Sequence, residues 1–302
     1  QNLLKEALEL TGDPEILLSN ARKFYEQHPA LYEQYLDFVW STDDSEKLFS
    51  VGNEALEKIS VKYVVRSRIA KKLSLLALEE QKKDTAERYW LEAFRSETTV
   101  TNYMRLLVES SDVNVFSEQV RRICHSMYKK IGISISMHAQ IGELKMNHPN
   151  SDTIYMLAFL GGEFQYVKEH GMNVKAALGW SSTFMKCGLS AFLLLLLSGH
   201  ELQLGCRKMC RRVVSDVNFD KEEYQHWSNR KNDLSSEEWF WECFKRWKEN
   251  VEISETQRQD YLQWIEKLIK KRVDGIMEAN RRNYCRRPAP APSASAGVVE
   301  HL

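Results

Sequence analysis

Glycine and proline are both scarce in this chain, 13 and 6 of 302 residues, and Pro14, Pro288, Pro290 and Pro292 lie at its first turn or beyond the part that can fold. So few breakers exclude an architecture of short strands and tight turns and favour long helices. A long hydrophobic run is also missing. The most apolar stretch, Leu189 to Leu197, is about half of the roughly 20 residues a bilayer span requires, so it reads as a fully buried helix and no membrane partner is expected. Nor is there an excess of charge of either sign: 42 basic residues face 42 acidic ones, which leaves no global field for nucleic acid, anionic membrane or an acidic substrate. The six cysteines, Cys124, Cys187, Cys206, Cys210, Cys243 and Cys285, are spread without secretory features, as expected for reduced thiols in a cytoplasmic protein. Gln1 opens the chain inside an amphipathic pattern, which reads as a trimmed end with no targeting peptide in view.

Catalytic motifs are missing as well. No Gly-x-x-x-x-Gly-Lys-Ser or Gly-x-Gly-x-x-Gly loop offers a seat for phosphate, and no Gly-x-Ser-x-Gly elbow presents a nucleophile. Cys124 and His125 are adjacent, which on a helix points them about 100° apart. Gly161-Gly162-Glu163-Phe164 spells the name given to diguanylate cyclases, but it lacks one of their two consecutive acids and lies between helical runs, so a glycine turn is the better account. His200, Cys206 and Cys210 lack a fourth ligand nearby, and Arg207, Lys208, Arg211 and Arg212 surround the thiols. Metal is therefore not expected, although the basic neighbours could lower a thiol pKa and make Cys206 or Cys210 reactive. Nothing in the sequence marks an enzyme, and no cofactor is expected.

What is there is helical periodicity. Leu3, Leu4, Ala7 and Leu10 share a face until Thr11-Gly12-Asp13-Pro14 breaks the run, after which Asp13 caps and Pro14 opens a helix striped by Ile16, Leu17, Ala21, Phe24 and Tyr25. Beyond Pro29 a third helix carries Leu31, Tyr35, Phe38 and Val39, and Ser41 to Ser45 supplies a loop and the next cap. Asn53 to Ile59 is echoed at Leu91 to Glu97, with an amphipathic helix from Tyr63 to Gln81 between them, so one period is a helical hairpin. Ala70, Leu73, Ser74, Ala77, Ala86, Trp90 and Ala93 fall at the spacings where a tetratricopeptide repeat sets its small and large packing residues. Further helices are expected over Tyr103 to Val108, Val115 to Tyr128, Ile135 to Met146 and Asp152 to Leu160. Two capping boxes, Ser235 with Glu238 and Ser254 with Gln257, open the last ones. The expected fold is all-α: stacked helical hairpins forming a tetratricopeptide-like α-solenoid over residues 1–284, with a subdivision near 150. Residues 285–302, rich in Pro, Ala and Ser, have no apolar periodicity and are expected to be disordered. The tail's composition reads as a foreign or frame-shifted end, which sequencing the encoding DNA in all three frames decides.

Two segments are candidate binding surfaces. Trp227 to Trp247 has a high density of aromatics. Phe240, Phe244 and Trp247 share a helix face while Trp239 and Trp241 point elsewhere, so packing on two sides competes with a partner site at Trp227, Trp239 and Trp241. From Glu266 to Arg287 eight Lys or Arg stand against three acids. Lys270, Lys271, Arg272, Arg281 and Arg282 are thus candidates for phosphate backbones, against the alternative of a solvated helix face.

Trp90 to Arg95 followed by Thr98 to Leu107, Leu178 to Ser182 followed by Phe192 to Leu197, and Arg272-Val273 to Arg281-Arg282-Asn283-Tyr284 resemble the helical region of bacterial proteins that carry a SWIM-type zinc finger. The likeness covers most of Ser45 to Tyr284. The finger itself needs Cys-x-Cys and Cys-x-His units, which do not occur here, so no zinc-ligand role carries over. The resemblance implies an accessory helical part, with more helix expected after Tyr284 than the tail allows. The expected function is a non-catalytic scaffold that holds a protein partner. The alternative is a nucleic-acid-associated accessory domain using the basic C-terminal helix.

Overall fold

The computed structural model describes residues 13–42, 44–128, 144–173, 184–228 and 230–278. Within them the chain is all-helical, with fourteen α-helices, one short 3-10 turn and no strand. The expected first helix with its stripe from Leu3 to Leu10, most of the segment Ile135 to Met146, and the C-terminal tail lie outside the described residues, as do Arg281 and Arg282. The described end of the Ile135–Met146 segment is not helical. Met146 forms an isolated antiparallel bridge with Tyr63, because Val64 N–H donates to the Lys145 carbonyl at 2.9 Å and Asn147 N–H to the Lys62 carbonyl at 2.6 Å.

The chain divides into two compact units, residues 1–149 with 222–231, and residues 150–221 with 232–302. Unit 1 contains α1 (Pro14–Phe24), α2 (Ala30–Val39), α3 (Ser45–Lys58), α4 (Val64–Glu79), α5 (Lys83–Ser96), α6 (Val100–Glu109) and α7 (Asn114–Tyr128). Short polar side chains start several of them: Asp13, Asp44 and Thr99 each accept a backbone N–H of the first turn, relieving donors that a helix leaves unpaired. From α1 to α6, neighbours in chain order pack together, and α2 also meets α4, as α5 meets α7. The small residues allow this closeness. Ala70, Ala77, Ala86 and Ala93 are buried together with Leu73 and Trp90. At Gly52 of α3 an added Cβ would lie 2.4 Å from Leu73 Cδ2, so any larger residue requires the buried Leu73 side chain to shift. Buried Asn147 secures the returning loop, accepting from Thr98 N–H at 3.0 Å and donating to the Arg95 carbonyl at 2.9 Å.

Unit 2 holds α8 (Ser151–Leu160), α9 (Phe164–Asn173), α10 (Phe184–Leu197), α11 (Leu204–Asp216), α13 (Ser236–Lys248) and α14 (Glu255–Glu278). The short helix α12 (Lys221–His226) begins in unit 2 and continues into unit 1. The glycine pair ends α8: Gly162 has φ +83°, and Glu163 N–H reaches back to the Ala158 carbonyl at 2.9 Å. This Schellman cap accounts for the four-letter string. The run from Leu189 to Leu196 is buried, and no helix among the described residues is long and apolar enough to cross a membrane. Both expected capping boxes form, with Ser235 N–H donating to Glu238 Oε2 at 2.8 Å and Ser254 N–H to Gln257 Oε1 at 3.0 Å. The core is aromatic. Phe192 lies 4.9 Å from Phe159 and 5.2 Å from both Tyr261 and Trp264, measured between ring centroids. Trp247 Nε1 donates to the Leu160 carbonyl at 2.7 Å, pairing one of the acceptors that the end of α8 leaves open.

Candidate functional site

The concentration of buried charge lies in unit 1, on helix faces that the sequence pattern makes look like ordinary solvated surface. On α4, Ser67 and Lys71 are one turn apart on one face, and Arg68 and Lys72 repeat that spacing beside them. On α6, Asn102, Arg105 and Glu109 share a face at spacings of three and four. The side chains of Lys71 and Arg105 are 3% and 1% exposed, so each cation needs a partner inside the protein.

Two carboxylates supply it. Lys71 Nζ donates to Glu97 Oε2 at 2.7 Å and to Glu223 Oε1 at 2.5 Å. Arg105 Nη2 donates to Glu223 Oε2 at 3.0 Å and to the Glu223 carbonyl at 3.1 Å, while Nη1 donates to Asn102 Oδ1 at 2.6 Å. Ser67 Oγ and Asn102 Nδ2 complete the surroundings of Glu97. Burial opposes ionisation of Glu97, but the charge and hydrogen bond of Lys71, with the Ser67 bond, outweigh it and hold the carboxyl below its ordinary range.

The other pole of the site is acidic. Glu109 Oε1 accepts from Tyr224 Oη and Ser228 Oγ, both at 2.9 Å, and Glu109 Oε2 accepts from Arg230 Nε at 3.1 Å. The Arg105 guanidinium also stands 5.3 Å from the Tyr224 ring, and Lys72 Nζ 5.5 Å from the Trp227 ring. Further along, Arg68 forks onto Glu33 of α2 and Lys72 pairs with Asp37. Helices α4 and α6 thus present a cationic pole at Lys71 and Arg105 and an anionic pole at Glu109. Residues 223–228 and Arg230 lie along both.

The candidate residues read from the sequence are not gathered into one place. Trp227 is half-buried in this segment of unit 1. Trp239 and Trp241 are buried in the core of unit 2, at 8% and 4% exposure, which is the packing arrangement that their divergent directions also allow. Lys270 and Lys271 are exposed on α14, while Arg272 is half-buried, and burial pushes its guanidinium pKa down. Lys71, Arg105, Glu109 and Glu223 are not among the residues the sequence singles out; the visible signal is the i, i+3 and i+4 spacing of polar groups on helices otherwise rich in buried residues.

Cys206 and Cys210 are buried. Burial pushes Cys206 up despite Lys248, and burial, with Glu237 and Cys206, pushes Cys210 up to about 12. A reactive thiol here needs exposure, and burial disfavours the thiolate at both positions. Among the described residues no cluster of three or more His, Cys, Asp or Glu has a metal-binding arrangement. Lys248 Nζ, which donates to the Ser198 carbonyl at 2.5 Å and to Ser198 Oγ at 3.1 Å, caps the carbonyl end of α10. No family model, curated protein or solved structure matches the chain, so the resemblance to SWIM-type zinc-finger proteins rests on the residues that carry it.

Proposed function

We propose that this chain is a non-catalytic scaffold whose unit 1 is a tetratricopeptide-like stack of hairpins that holds a protein segment along its α2, α4 and α6 faces. The supporting observation is that the α4 and α6 faces already hold a stretch of polypeptide, residues 223–228 with Arg230, through side-chain contacts to Lys71, Lys72, Arg105 and Glu109. The sequential packing of α1 to α6 and the small residues between hairpins agree with a repeat stack, in which neighbouring pairs create an extended face. An affinity capture from native lysate with the wild-type chain and with a Lys72→Ala, Glu109→Gln variant tests the reading. A protein retained by the first and lost from the second supports it. Identical capture by both would count against it.

A second reading has an observation of its own: Lys267, Lys270 and Lys271 are exposed on α14. They suit nucleic-acid phosphates in an accessory domain of the kind the SWIM resemblance implies. Backbone binding must weaken steeply with salt, so a titration of duplex DNA at two salt concentrations separates it from the scaffold reading.

A further inference from the structure

We propose that residues 223–228 with Arg230 are a built-in occupant of the α4 and α6 faces of unit 1, and that these faces form a groove that takes from a partner a dipolar peptide of the same chemistry: a glutamate followed by tyrosine, with a hydroxyl and an arginine five and seven residues after the glutamate. This rests on the scaffold reading and specifies its ligand.

Connectivity sets the segment apart. The chain on both sides of residues 222–231 belongs to unit 2, and only this stretch joins unit 1. It is therefore a strap laid onto a body made from another part of the sequence. Its lead-in contains Asn218 at φ +49°, a left-handed conformation characteristic of turns. The contacts are also of an exchangeable kind. Tyr224 is the one large side chain of the strap that is fully buried, and it too is held by its hydroxyl. Beside it stand the Trp227 ring under Lys72 and polar contacts: the Glu223 carboxylate on Lys71 and Arg105, the hydroxyl of Ser228 and the guanidinium of Arg230 on Glu109. A competing peptide has to replace these polar groups and to cover the site of the Tyr224 ring.

Charge then selects the ligand. With the strap in place Lys71 and Arg105 are balanced by Glu97 and Glu223, and Glu109 by Arg230. With the strap removed, two buried cations share one carboxylate at one pole, and Glu109 loses these three donors at the other. A purely acidic peptide satisfies the first pole and is repelled by the second. A peptide carrying both charges in the strap's order satisfies both. Arg105 Nε, buried and without a hydrogen-bond acceptor while the strap is bound, is a further donor that a competing ligand can use.

The test uses the full chain and a fluorescent peptide of residues 221–231. Binding is measured by anisotropy against the wild type and against a Glu223→Ala, Tyr224→Ala variant in which only the strap is weakened. The variant is expected to bind the peptide at least tenfold tighter than the wild type, and to lose that gain when the peptide itself carries Glu223→Gln. If the double variant has lost its helical circular dichroism, Ser228→Ala, Arg230→Gln replaces it, with a gain of threefold or more expected. Equal affinity in wild type and variant overturns the proposal. So does a variant that excludes the peptide and forms a dimer by light scattering, since the occupant is then the strap of a second copy. Groove-dependent capture from lysate without any gain in peptide affinity would sink the strap assignment alone and leave the scaffold reading standing.

Discussion

The two units are built from the same kind of element and held together by different means. In unit 1 small residues bring hairpins close and the buried specificity is ionic, in Lys71, Arg105, Glu97 and Glu223. In unit 2 large rings interlock around Phe192, and a pair such as Lys168 with Asp260 stands at the margin, with the Asp260 side chain about half exposed. Aromatic packing supplies area and does not depend on which partner ring fills the space. A buried ion pair adds little net stability because desolvation offsets attraction, but it penalises every arrangement that leaves one charge alone. The contrast sets an interlocked aromatic core in unit 2 against mutually dependent buried ion pairs in unit 1.

That comparison can be broken by substitution. Phe192→Ala should cost about 3–5 kcal/mol by leaving a cavity among Phe159, Phe164, Tyr261 and Trp264, read as a shift of the unit 2 transition in denaturant. A shift of equal size in the unit 1 transition would show that the units do not unfold separately. Lys71→Met should destabilise unit 1 by about 3 kcal/mol because Glu97 and Glu223 lose their shared cation. Adding Glu223→Gln should recover part of that loss; simple additivity of the two changes would contradict the network. Gly52→Ala should cost about 2 kcal/mol, since the new methyl meets Leu73 in a packed interface, and a thermal melt unchanged from wild type would mean that α3 and α4 can separate freely.

Acid sharpens the same contrast with a smaller effect. Arg22, together with Lys58 and Tyr32, holds the Glu54 carboxyl at about 2 against its ordinary 4.5. Glu80, Glu97 and Glu118 of unit 1 are also depressed, whereas in unit 2 the described case is Glu238 in its capping box. A carboxyl depressed by folding stabilises the native state in full above its ordinary pKa, and that contribution is lost as pH falls through the folded value. Unit 1 should therefore weaken between pH 4.5 and about 2 while unit 2 changes less. Circular dichroism with near-ultraviolet tryptophan signals follows both, and acid loss led by unit 2 would reverse the assignment.

Much of the architecture is readable from local chemistry. Asp13 before Pro14, Ser235 with Glu238 and Ser254 with Gln257 mark helix starts because their side chains satisfy backbone donors within the same turn. The echo of Asn53 to Ile59 at Leu91 to Glu97 reappears as helices starting at Ser45 and Lys83, and the small residues between them are buried. The contacts of the 223–230 strap are not readable. Glu223 is 152 residues from Lys71 and 118 from Arg105, and all three occur in segments whose charges look solvated. The aromatic density around Trp239 and Trp241 is visible, but its direction is not, because indoles on several faces of one helix can be covered or bare depending on what packs there.

By itself, then, the sequence determined the all-helical class and several helix starts, since caps, turns and periodicity act over a few residues. Only the tertiary structure decided that a strap from a distant part of the chain lies on α4 and α6, that three of their cations, Arg66, Lys71 and Arg105, are buried and that the tryptophans of α13 are enclosed. Those outcomes depend on desolvation, and whether a charge or a ring is removed from water is set by neighbours that no local pattern names.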